Sequence, residues 1–467
     1  MPALVRLSVW RAALGPDAGE EVLVELRAGV LALGLVLGVL GSGASAPANP
    51  SPPCQVLDTH SHLSYGELQV AVEAAKPDDT LDVKGTCTGG TTIDKSLAVV
   101  GVGTSSAKAV LHGARGATVV IITGDVRVAL TGLLITGGAE DHGGGILIGG
   151  GTLTLSKSTV SGNEALYGGG IDAEEDASVV LTGSTVTANK AGYGGGIDAE
   201  EGAEVTLKSS HVTENSASTR GGAIDIAKGE LTLTSSEVAN NQAGEGGGIA
   251  GVESTLALTS SLLTGNKSTS SEGGGIQSRK ALVTVTRTTV SSNTAVTAGG
   301  GIFLYEGGSL TLSSSSVTAN KAGHIGEGSG GGIAAGGSPV TITGSTVKAN
   351  SAPFGGGIGM FGSSLTLTGT TVTANTATIG GGINVQQGAL KLLGHSSIKA
   401  NTATNGGGIY IFGSKAELVS STVTANKALG GSNSGGGIEM PAGSLTLTSS
   451  PVTSNTPENC QPKTLCP

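Results

Sequence analysis

One phrase recurs twelve times between Gly143 and Asn455, and it constrains the fold more than any other feature of the chain. A glycine run closes on Ile, a Leu/Val-rich stretch follows, and then comes Val, Leu or Ile three residues before an Asn. The runs close on Ile146, Ile171, Ile197, Ile224, Ile249, Ile276, Ile302, Ile333, Ile358, Ile383, Ile409 and Ile438. Each Ile is followed 17 or 18 residues later by an Asn: Asn163, Asn189, Asn215, Asn241, Asn266, Asn293, Asn320, Asn350, Asn375, Asn401, Asn426 and Asn455. A unit of 25 to 31 residues, too small to bury its own apolar face, predicts stacked coils.

The pattern inside each unit is that of strands. Apolar or small residues fall at Ile and two residues on (Ile+2). Larger or polar ones fall at Ile+1 and Ile+3, which a strand with one buried face places outward. Leu153 and Leu155, Leu310 and Leu312, and Leu445 and Leu447 alternate with Thr and Ser in the second stretch. The third stretch is of the Ser-Thr-Val-Thr type, suited to a half-buried pleat. Three short strands per coil, closed by Gly and Asn, predict an all-β parallel β-helix. An antiparallel sandwich would need hairpin signals without this rigid register. Glycine runs permit close approach of coils at a corner, and Asn at the next corner is expected to adopt a left-handed conformation and stack its amide along the axis. At about 4.8 Å per coil, the twelve regular coils span on the order of 60 Å.

Gly221-Gly222-Ala223-Ile224 and the recurring apolar-x-x-Asn resemble the repeats of chlamydial polymorphic outer membrane proteins, with Val, Ile or Leu where those repeats carry Phe. They equally resemble secreted bacterial right-handed parallel β-helix repeat proteins. The resemblance covers roughly residues 88–459 and implies a single-stranded right-handed solenoid. No C-terminal membrane barrel is expected, because the chain ends twelve residues after Asn455. The string from Leu68 to Val83 resembles the N-terminal cap of pectin-lyase-like folds, with Leu68, Val72 and Ala75 on one face of a helix over 65–75. Thr91–Val99, Val119–Thr123 and Val128–Gly137 read as irregular first coils.

Ala28–Leu40 is an apolar core of 13 residues before Ala44-Ser45-Ala46, too short to span a bilayer but suited to a secretory signal. The lead before it carries Asp17, Glu20, Glu21 and Glu25, so the true translation start is expected downstream of Met1. The expected organisation is an export signal over 1–46, a Pro-rich linker over 47–53, and an N-terminal cap with first strands over 54–110. Repeats follow over 111–455 and a disulfide cap over 456–467. Four cysteines allow three pairings; their places at opposite ends of a rod favour Cys54–Cys87 and Cys460–Cys466. Only 13% of residues are charged, with a net of −10, which offers nucleic acid no basic patch. A secreted or surface-exposed monomer with no transmembrane segment is the expectation.

Chemical motifs are sparse. Asp58-x-His60-x-His62 has metal-ligand residue types, but it precedes the cap helix without further ligands nearby and reads as a solvated loop. Gly246-x-Gly248-x-x-Gly251 lacks the strand–helix context of a dinucleotide site. The pectin-lyase-like resemblance implies polysaccharide lyases or hydrolases as an alternative class. The Asn-x-Asp, Asp-Asp, Gly-His-Gly and Arg-x-Lys motifs of galacturonan hydrolases are absent in that order, and Asp141-His142-Gly143 and Arg279-Lys280 are fragments only. A pair of carboxylates with Arg or Lys on one face would favour catalysis, and the spacing does not supply it.

One column stands out as a ligand face. Ile+1 and Ile+3 hold Asp172, Glu174, Asp198, Glu200 and Asp225 in coils two to four, and Phe303, Tyr305, Phe361, Tyr410 and Phe412 further on. Stacked like charges repel unless solvent or a cation screens them, so the column reads either as a solvated face with scattered aromatics or as a ligand face; no cofactor is expected, with calcium as the alternative. The chain reads as a non-catalytic adhesive, ligand-binding or envelope-structural protein. Its expected partners are a polysaccharide or a host or cell-surface protein.

Overall fold

A computed structural model of the chain describes residues 52–103, 108–114, 116–323 and 329–466. The segment read as an export signal, and all but the last two residues of the linker, lie outside them. Coils stack through parallel pairing. A 15-stranded sheet runs from Thr86–Thr88 through Ala109–His112 and Leu133–Thr136 to Val452–Thr453, giving three early rungs before the twelve regular ones. A larger sheet carries the Ile strands and the Leu-x-Leu strands as two columns. Its register is exact in residue type: Ile146 pairs with Ile171, Ile171 with Ile197, and Ile197 with Ile224. Three strands per coil form as the alternation requires. Many coils add a short fourth strand after the Asn, such as Lys190–Tyr193 and Ser216–Arg220, which the sequence pattern did not flag.

The core is a repeated trio of rows. Ile146, Ile148, Leu153, Leu155 and Val160 are fully buried in coil one, and their equivalents repeat along the axis. Each buried Leu or Ile contributes about 1.5–3 kcal/mol, so the stack, not the single coil, is the stable unit. The cap helix is Leu68–Ala74, shorter than the 65–75 reading because Ser64–Tyr65 instead pairs with Gln55–Asp58. Leu68, Ala71 and Val72 bury its inner face. The disulfides join Cys54 to Cys87 and Cys460 to Cys466, one at each cap.

Two polar columns lie inside. Every ladder Asn is buried, and in mid-stack each hands its amide to the next coil. Asn293 Nδ2 donates to Asn320 Oδ1 at 3.0 Å and to Leu263 O at 3.1 Å, while its backbone N–H donates to the same Asn320 Oδ1. The expected left-handed corner is displaced by one residue. Ala188, Ser292, Ala319, Ala374 and Ala425, each just before the Asn, carry the positive φ. That turn leaves the Asn side chain facing inward. A second column, overlooked in the sequence, stacks Ser158, Ser184, Ser210 and Ser236, where each backbone N–H donates to the hydroxyl of the next coil.

Candidate functional site

The Ile strand does not behave as a strand with one outward face. Asp172, Asp198 and Asp225 sit in register on successive coils. They are only 2%, 1% and 1% exposed, and Phe303 is 5% exposed. The expectation that Ile+1 projects into solvent is therefore overturned. The cause is the glycine corner, which doubles back over the strand it leads into. Gly168, at φ +59, lies so close that a Cβ there would stand 2.7 Å from the Cα of Asp172. Only glycine tolerates both that approach and that φ.

The residue just before each glycine run, four before the Ile, is thereby laid over the Ile+1 side chains. In coils one to four this residue is His142, Tyr167, Tyr193 and Arg220, paired coil to coil. The rings form a continuous pile: His142 on Tyr167 at 4.9 Å, Tyr167 on Tyr193 at 5.3 Å, and the Arg220 guanidinium 5.4 Å from the Tyr193 ring. Tyr167, Tyr193 and Arg220 were missed in the sequence, and His142 was met only in the fragment Asp141-His142-Gly143. Their fixed offset from the Ile was the available signal.

Beneath the pile, the carboxylates are unequally served. Asp172 Oδ2 lies 2.9 Å from His142 Nδ1, and Glu174 Oε1 lies 3.0 Å from the same nitrogen. Arg220 Nε donates to both oxygens of Asp225, at 3.0 and 2.8 Å. Asp198, between them, feels the Arg220 charge only at longer range, and its Oδ1 is buried without a hydrogen-bond partner. Burial pushes the Asp172 carboxyl up to about 6, with the nearby Glu174 and Glu200 adding to the rise and His142 opposing it. Burial likewise pushes Asp225 up to about 6 against the pull of Arg220. Burial, then Asp225 and Asp172, hold Asp198 well above the usual carboxylate range. Glu174 and Glu200 are half-buried at the lip, with Glu175 and Glu201 exposed beside them.

Toward the C-terminus the same columns turn aromatic. Tyr305 pairs with Gly336, Gly336 with Phe361, Phe361 with Gln386, and Gln386 with Phe412. Tyr305, Phe361 and Tyr410 are half-buried and Phe412 is exposed. Phe303 stacks on Tyr305 at 5.3 Å, and Gln277 Nε2 donates to the Tyr305 hydroxyl. The Asp58 turn is a different matter. Asp58 is buried and accepts from His60 N, Ser61 N and Ser61 Oγ, while His60 and His62 are exposed. It is a structural turn around a buried carboxylate, not the wholly solvated loop expected.

Against known proteins, two overlapping stretches, residues 104–243 and 217–347, match the family described as the right handed beta helix region. Together they span more than half of the chain. The chain belongs to the right-handed β-helix family. No curated protein and no solved structure matches it. In this β-helix protein, no helix among the described residues is long and apolar enough to cross a membrane.

Proposed function

We propose that this is an exported, monomeric β-helix that binds a polysaccharide along the Ile+3 strip and does not cleave it. The observation that carries the reading is the spacing of Tyr305, Phe361 and Phe412, which stand two coils apart in one ladder. At the spacing of hydrogen-bonded strands this is about 9–10 Å between rings. An extended β-1,4-linked glycan turns the same sugar face outward once per disaccharide, a comparable length. Such a chain lying along the axis would meet a ring at every second sugar. The acidic coils two to four then receive hydroxyl or amine groups at the half-buried Glu174 and Glu200. The export reading rests on the signal core over 28–40 and the paired cysteines, and the surface role on the likeness of Gly221–Ile224 to bacterial surface-protein repeats.

The catalytic alternative has one observation in its favour: Arg220 does share a face with buried carboxylates, the arrangement the spacing alone did not disclose. Burial weighs against it, since acids and bases that work on a substrate must touch it, and Asp172, Asp198 and Asp225 do not reach the surface. A glycan array probed with the purified protein, run beside a product assay on acidic polysaccharides, tests both. Binding without new reducing or unsaturated ends is the expected result. Chain cleavage would replace this reading with the enzymatic one. Intact mass of exported protein, expected to show cleavage after Ala46 and two disulfides, checks the localisation.

A further inference from the structure

The acidic end of the strip holds a grouping that ligand binding by stacking does not use. His142 Nδ1, Asp172 Oδ2 and Glu174 Oε1 converge at the first glycine corner, with 2.9 and 3.0 Å between the nitrogen and the two oxygens. A single imidazole nitrogen carries at most one hydrogen, so it satisfies one carboxylate fully and the other only by sharing. The separation is close to that of ligand atoms around a small divalent ion, whose metal–nitrogen and metal–oxygen bonds are each about 2.0–2.2 Å. The donor atoms of the three residues all lie within 4.8 Å of one another. The ligand-bearing elements are rigid: the His142 ring is stacked on Tyr167, and Asp172 is held on a strand paired on both sides.

A second observation points the same way. The next carboxylate along the column, Asp198, is 1% exposed and in register with Asp172. Its Oδ1 has no partner in the protein. A buried acceptor left unserved one coil along from a three-ligand cluster is what a metal-bound water, donating from the fourth position, would satisfy.

We propose that His142, Asp172 and Glu174 form a binding site for one transition-type divalent cation of the zinc class, with Asp198 receiving a hydrogen bond from the bound water. The mixed set of one imidazole and two carboxylates selects such an ion over calcium, which takes six to eight oxygens and does not favour an imidazole nitrogen. Three protein ligands leave a position open to water or to an oxygen of a bound ligand.

Cobalt(II) serves as a spectroscopic probe. Titration into protein treated with a chelator should give visible absorption bands that saturate at one equivalent. Zinc should bleach them and calcium should not. His142→Ala, at a side chain 46% exposed, should keep a cooperative melting curve and weaken cobalt binding by at least about tenfold. Glu174→Gln should weaken it too, and His60→Ala should leave it unchanged. Absence of bands, bands retained in full by His142→Ala, or bands lost in His60→Ala would each overturn the assignment.

Discussion

The Asn column and the Asp column each set one polar side chain per coil in parallel register, yet only the first is self-sufficient. An amide donates and accepts, so Asn266, Asn293 and Asn320 pass hydrogen bonds along the axis without outside help. A carboxylate only accepts, so stacked aspartates need hydrogen-bond donors brought from elsewhere. His142 and Arg220 serve Asp172 and Asp225 at the two ends of the triad, and Asp198 in the middle keeps one oxygen without a hydrogen bond. A repeat that stabilises one chemistry therefore strains another, and the strained column is where a ligand has something to offer.

The largest effect should come from giving the Asn column the chemistry of the Asp column. Asn293→Asp keeps the acceptor for Asn266 but turns a carboxylate toward Leu263 O and Asn320 Oδ1. An uncompensated buried charge should cost about 3–5 kcal/mol at neutral pH, and the uncharged Asn293→Leu about 1–3 kcal/mol. Urea denaturation checks both; unchanged midpoints would mean that the ladder contributes nothing.

Next comes pH. Asp225 faces Arg220, Asp198 and Glu200, and its carboxyl is raised to about 6 from 3.8. A raised carboxyl binds its proton more tightly when folded, so its contribution is fully present below pH ~4 and is lost as pH rises through ~6. Two pK units correspond to about 3 kcal/mol, and Asp225 is too buried for solvent to screen much of it. Stability should fall between pH 4 and 8 in the wild type, and less steeply in Asp225→Asn. A flat wild-type profile would contradict the burial argument.

A third contrast lies within the strip. Tyr305→Ala and Phe412→Ala should each weaken glycan binding roughly two- to tenfold, for an aromatic contact of about 0.5–1.5 kcal/mol. Glu204→Gln, exposed on a neighbouring strand, should leave it unchanged. Equal losses in all three would remove the case for spaced rings.

The fold was legible because the solenoid repeats its grammar. The Ile-to-Asn interval marks the regular coils, the alternation marks their strands, and the cap helix shows in Leu68 and Val72. The site was half legible. Asp172, Asp198 and Asp225 could be aligned from sequence, since register follows the repeat. Their burial could not, because a period-2 rule knows only the strand's two faces and not the glycine corner folded back over one of them. His142, Tyr167, Tyr193 and Arg220 differ in type from coil to coil, so no repeated letter marked their column. The left-handed residue was misplaced by one for a similar reason: Ala, Ser, Glu and Gly all occupy it.

The most direct test is the denaturation midpoint of Asp198→Asn against wild type, both metal-free, at pH 8. An amide at 198 can donate to the carboxylates on either side and carries no charge to bury. The variant should be more stable than the wild type, by on the order of 1 kcal/mol. A midpoint equal to or below that of the wild type would contradict this, because Asp198 would then be satisfied where it stands.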